Sequence, residues 1–145
     1  MPEPETVERA REDAGEGKSP STQAGEFVRE EMHHIREGKH GAASTKQAIA
    51  IGLSKARRAG VKLTAKGSAS TQKKAEQDSR ASQSRRKPSR TRSRAASNAL
   101  KREPRSAASR SSLSRQAKSS AVSRGKRARS VAAKKAAQTR TRRAA

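Results

Sequence analysis

Apolar residues Ala24, Phe27, Val28, Met32 and Ile35 recur at helical spacing, and this run predicts an amphipathic helix over about residues 20–37. Ser19 followed by Pro20 reads as an N-cap with proline at the first helical position, and Gly38 supplies a stop. Steps of 100° per residue place Glu26, Arg29, Glu30, His33, Arg36 and Glu37 on the opposite face, while Glu31 falls near the apolar edge. A second helix is predicted over about residues 45–59. Ser44 and Gln47 make a capping-box signature, Thr45, Ile49, Gly52, Leu53 and Ala56 form a narrow apolar stripe, and Gly60 ends it. Lys55 and Arg58 lie on the far side of that helix, around Ile51. Residues 19–63 thus read as a helical hairpin. Its two helices bury only about ten modest apolar side chains, too few for a unit of this size to stand alone, so self-association or a partner is expected to stabilise it.

Outside the hairpin the periodicity fades. Residues 1–18 read as an acidic disordered N-terminus and residues 64–145 as a basic low-complexity tail. The tail from residue 68 holds 24 Lys and Arg against three acids, with 17 Ser and 17 Ala making up most of the remainder. Phe27 is the single aromatic residue and hydrophobic residues make up 29% of the chain. Ordering costs roughly 1–2 kcal/mol of conformational entropy per residue, which so little apolar surface cannot offset along 145 residues. The expected fold class is therefore mostly disordered with a small all-α helical hairpin, the tail becoming helical when bound.

Charge sharpens this division. Residues 1–41 carry 6 Lys and Arg against 10 Asp and Glu, whereas residues 42–145 carry 30 against 3, for a net charge of +23. Such a balance points to a polyanion. Duplex DNA carries one negative charge about every 1.7 Å of axis, and cations that neutralise phosphates release condensed counterions without any base contact. The candidate contacts begin at the end of the second helix with Lys55, Arg57, Arg58 and Lys62, and continue through Lys73 and Lys74 to the arginine-rich stretch Arg85, Arg86, Lys87, Arg90, Arg92 and Arg94. Lys101, Arg102, Arg105, Arg110, Arg115 and Lys118 follow. Arg124, Lys126, Arg127, Arg129, Lys134, Lys135, Arg140, Arg142 and Arg143 complete the set. The tail has no aromatic residue to stack on splayed bases, which favours double-stranded DNA over single strands.

The expected function is sequence-nonspecific DNA binding and compaction, with hairpins crosslinking tails. One alternative is an RNA- or ribosome-associated basic protein. Another is a protein–protein adaptor that uses the acidic hairpin. No apolar run approaches the roughly 18–20 residues a membrane span requires, and no cysteine is present. No membrane partner is expected, and a cytoplasmic, nucleoid-associated location is.

Candidate chemistry is sparse. Glu30 and Glu31 stand three residues before His33 and His34, an E-x-x-H arrangement that holds metals in some helical bundles. Adjacent histidines point about 100° apart, and His33 and Glu30 fall on the polar face, so a solvated surface is the expectation, with His40 exposed in the loop. No Gly-rich phosphate loop, nucleophile elbow or paired-carboxylate site appears, so neither enzymatic activity nor a metal or cofactor is expected. Serines beside basic residues, such as Ser97 and Ser130, would lose affinity for DNA if phosphorylated.

The phrases EGKHG (residues 37–41) and STKQAIAIGLSKARRAG (residues 44–60) sit within a stretch, residues 16–63, that resembles a small, largely uncharacterised bacterial family whose members are often labelled DNA-binding proteins. The tail resembles linker-histone and bacterial histone-like tails in composition. These resemblances imply a nucleoid-associated or chromatin-like role; they bring no catalytic residues with them.

Overall fold

The computed structural model describes residues 2–65, 67–84 and 89–144. Among them the chain forms six α-helices and one 3-10 turn: α1 (Pro4–Gly15), α2 (Pro20–Arg36), α3 (Thr45–Arg58), α4 (Ala69–Gln83), α5 (Arg90–Arg102), the turn Arg105–Ala108, and α6 (Arg110–Ala144). The expectation of a mostly disordered chain is thereby overturned. Ala, Arg, Lys and Gln are strong helix formers, and helicity follows local sequence, which average composition hides. Ser68, for example, caps α4 by accepting the Thr71 backbone N–H at 3.3 Å.

The two expected helices are found as α2 and α3. Ser44 Oγ accepts the Gln47 N–H at 3.2 Å, while the Gln47 side chain accepts the Ala43 N–H at 2.7 Å, one residue earlier than a standard capping box. Gly38 and Gly60 follow the helices with φ of 79° and 96°, the left-handed conformation that terminates a helix. The residues expected to be an acidic disordered N-terminus instead form α1, which has proline at its first turn and Glu5 beside the helix dipole.

Chain contacts divide the molecule into two units, Met1–Ser109 and Arg110–Ala145. In the first, α2 packs against both α1 and α3, α3 also packs against α4, and the 3-10 turn lies against α2 and α3. The core is built from Ala10 of α1, Ala24 and Phe27 of α2 and Ala56 of α3, with Val7, Leu53, Val61 and Leu63 around it. Neighbours within the same chain thus cover hairpin faces that looked too small to stand alone. Gly52 lets α2 and α3 close: a Cβ there would lie 2.7 Å from Val28 Cα.

A second layer of contacts closes over the loop between α2 and α3. Gly41 N–H donates to the Leu100 carbonyl at 2.8 Å, and Ala42 N–H to the Pro104 carbonyl at 3.1 Å. A Cβ on Gly41 would overlap the Glu103 backbone. Thr45 Oγ1 donates to the Ala107 carbonyl at 2.7 Å, and Arg36 Nε to the Ala108 carbonyl at 3.1 Å. The loop is therefore held from outside as well as by its own helices.

The second unit is α6. Non-helical backbone at Gly125, with φ 73° and ψ 165°, breaks it into two helical segments. It carries no continuous apolar face, and Val122 and Val131 are exposed. No helix among the described residues is long and apolar enough to cross a membrane.

Candidate nucleic-acid interface and a buried carboxylate cluster

Most of the cations singled out in the sequence are exposed, but they differ in what they can offer a phosphate. In α6, Arg110, Arg115, Lys118, Arg124, Lys126, Arg127, Arg129, Lys134, Lys135, Arg140 and Arg142 are all exposed. None has a carboxylate partner among the described residues. Residues 110–144 hold 12 Lys and Arg and no Asp or Glu. At about 1.5 Å of rise per residue this is roughly one positive charge per 4–5 Å of helix, spread around the axis. In α5, Arg90, Arg92, Arg94, Lys101 and Arg102 are exposed, and no helix of the same unit packs along it. Steps of 100° put Arg90, Arg94 and Lys101 on one face within about 40°.

The cations of the first four helices are more engaged. Arg58 Nε bonds Asp78 Oδ1 at 2.9 Å across α3 and α4. Arg57 is half-buried, with its Nε shielded and without an acceptor. The Arg105 guanidinium lies against Gly38. Lys62, Lys73 and Lys74 are exposed. Arg85, Arg86 and Lys87, together with the side chain of Arg143, lie outside the described residues.

Lys55 departs most from its expected role. It was expected on an outward, phosphate-facing side of α3, but it points into the bundle. Its Nζ lies 3.0 Å from Glu30 Oε1 and 2.7 Å from Glu31 Oε2. Both carboxylates are buried, with side chains 1% and 0% exposed. The expected solvated face at Glu30 is likewise corrected: α1 covers it, and the Glu3 backbone N–H donates to Glu30 Oε2 at 3.0 Å. The apolar-edge position of Glu31 was the one sequence signal that this carboxylate is internal.

Burial pushes the Glu30 carboxyl up, but the Glu3 N–H, the Lys55 ammonium and the Thr6 hydroxyl together outweigh it and hold the group below its ordinary value of 4.5. Burial likewise disfavours the Lys55 ammonium, yet Glu31 and Glu30 raise it above its ordinary 10.5. The two shifts agree in sign with a stable internal ion cluster.

The histidines flank this cluster. His34 Nε2 lies 2.8 Å from Glu3 Oε1. His40, expected exposed, is only 17% exposed at its side chain and stands with Nε2 3.3 Å from Glu31 Oε1. Its Nδ1 is 3.1 Å from the Gly41 carbonyl. His33, which the sequence placed on the polar face, is exposed. The cluster therefore selects His34 and His40 and leaves His33 in solvent.

No curated protein and no solved structure matches the chain. The family match carries no DNA-binding label and leaves Lys73 and the basic residues after it outside. It covers residues 18–67, the part that builds α2, α3 and the loop bearing His40, and over that span the protein is similar to a family described only as of unknown function, DUF6496.

Proposed function

We propose that the protein binds double-stranded DNA without sequence preference, through phosphate contacts of α5 and α6, and that it compacts DNA in the nucleoid by engaging more than one duplex segment. The observation that carries this reading is the exposed, carboxylate-free cation array of α6, joined on the same chain to the Arg90, Arg94 and Lys101 face of α5. Two linked cationic bodies raise the local concentration of the second for DNA already held by the first. Phe27 is the single Phe, Tyr or Trp of the chain and is only 1% exposed, so the described surface offers no large aromatic ring on which bases could stack.

Retardation of random-sequence duplex by the full chain tests the reading. Binding is expected to weaken by about 10³-fold or more between 50 and 200 mM salt, as counterion release requires for six or more phosphates. Unrelated duplexes should compete equally. Affinity that holds steady across this range, or strong preference for single-stranded or ribosomal RNA over duplex DNA, would refute it.

A further inference from the structure

We propose that Glu31, His34 and His40 form a site for one divalent transition ion of the zinc type. Glu31 and His34 stand one helical turn apart on α2, and His40 comes from the loop that follows. One carboxylate oxygen and one nitrogen from each ring all lie within 4.8 Å of one another. Ligands bonded at about 2.0–2.2 Å to a tetrahedral ion stand roughly 3–4 Å apart, so small side-chain adjustments close the set.

The local chemistry calls for a cation at this point. The Gly41 carbonyl can only accept, so His40 Nδ1 carries the proton that bonds it, and Nε2, 3.3 Å from Glu31 Oε1, is the ring nitrogen left to face the carboxylate. A carboxylate oxygen and a ring nitrogen at this separation are bridged by a proton or by a metal ion. Glu31 is fully buried, and neither oxygen accepts a hydrogen bond of good geometry. Lys55 stands at Oε2 and leaves Oε1 for a second cation. Glu30 and Glu31 also share the single Lys55 ammonium, so lysine supplies one cation to two buried carboxylates.

The surroundings are already built to hold such ligands. A metal-binding imidazole commonly gives its other N–H to a backbone carbonyl or carboxylate, as His40 does to Gly41. The loop carrying it is fixed by the bonds of Gly41 and Ala42 to Leu100 and Pro104. Two imidazoles and one carboxylate suit zinc and its first-row neighbours rather than magnesium or calcium, and three protein ligands leave a fourth position open to water. This proposal stands apart from the DNA reading and does not need it.

The test uses the full chain stripped of metal by chelator, titrated with zinc(II) in a calorimeter and with cobalt(II) by visible absorption. One equivalent is expected to bind, with the absorption of a low-coordinate cobalt centre. His40→Gln and Glu31→Gln should each weaken binding by roughly 10-fold or more, the low end of what removing even a ligand's supporting partner costs. His33→Ala, one residue from His34 but in solvent, should bind as the parent does. Zinc should also raise the melting temperature of the parent by more than that of His40→Gln, whose helical circular dichroism reports its folding independently. No saturable binding at micromolar zinc, an affinity untouched by His40→Gln, or an equal loss in His33→Ala would overturn the proposal.

Discussion

Lys55 compensates two buried carboxylates with one ammonium, so its removal reaches further than the loss of a surface charge. Lys55→Met would keep most of the stem's packing while leaving Glu30 and Glu31 unanswered, with side chains 1% and 0% exposed. Breaking a buried pair from one side costs about 3–5 kcal/mol; because Lys55 itself retains some exposure, about 2–4 kcal/mol is the expected loss. Thermal denaturation should show a fall of roughly 10 °C or more. Adding Glu31→Gln should recover part of that loss, since it removes one of the stranded charges. The same cluster sets a pH window. Glu30 is held below 4.5, so its contribution is present above that value and disappears as pH falls through its folded-state value. Lys55 is held above 10.5, so its contribution is present below that value and disappears as pH rises through its own. Melting temperature should therefore drop at both ends of the pH range; Lys55→Met should make the alkaline decline shallower without abolishing it, because Lys18 and Lys39 are also held above their ordinary value by their carboxylate partners.

At the level of helices, two glycines in comparable settings should respond in opposite directions. Gly52 sits where α3 meets α2, and a Cβ there would stand 2.7 Å from Val28 Cα and 3.0 Å from Val28 N. Alanine normally gains about 0.5–1 kcal/mol over glycine within a helix, but forcing two packed backbones apart costs about 1–3 kcal/mol, so Gly52→Ala should destabilise. Gly25, exposed on α2 with nothing within 4 Å of its would-be Cβ, has the gain without the clash, and Gly25→Ala should stabilise. Melting curves of the two variants would check both signs. The same two helices were legible in the sequence because caps, glycine stops and apolar spacing agreed there. α1 was not, since Val7 and Ala10 make too slight a stripe to announce a helix until Phe27 is seen to lie beneath it. The buried carboxylates were hidden for a related reason: only the arrival of α1 turns the polar face at Glu30 into an interior one. His40 could not be joined to Glu31 from spacing alone, because the loop that presents it is set by bonds to Leu100 and Pro104, some sixty residues away in the chain.

Across the whole molecule, charge is divided so that the two units should contribute unequally to DNA affinity. All 13 Asp and Glu fall within residues 1–109, where several cations are already spoken for: Arg9 by Glu26, Lys55 by Glu30 and Glu31, and Arg58 by Asp78. Residues 110–145 hold 12 of the 36 Lys and Arg and none of the acids. Each phosphate contact adds about 0.9 to the slope of log affinity against log salt, so the slope counts contacts directly. Replacing Arg90, Arg94 and Lys101 by alanine removes at most three contacts and should lower the slope by about 2–3. A chain ending at Ser109 loses the whole α6 array; if about half of its cations meet phosphates at once, the slope should fall by about 5. That shortened chain should keep its cooperative thermal transition, because the core of Ala10, Ala24, Phe27 and Ala56 and the bonds over the Gly41 loop all lie within the first unit. Salt titrations of the three proteins, read beside their melting curves, would separate lost contacts from lost fold. Equal slopes in all three would place the phosphate contacts on neither α5 nor α6 and leave the cationic array without a role in DNA binding.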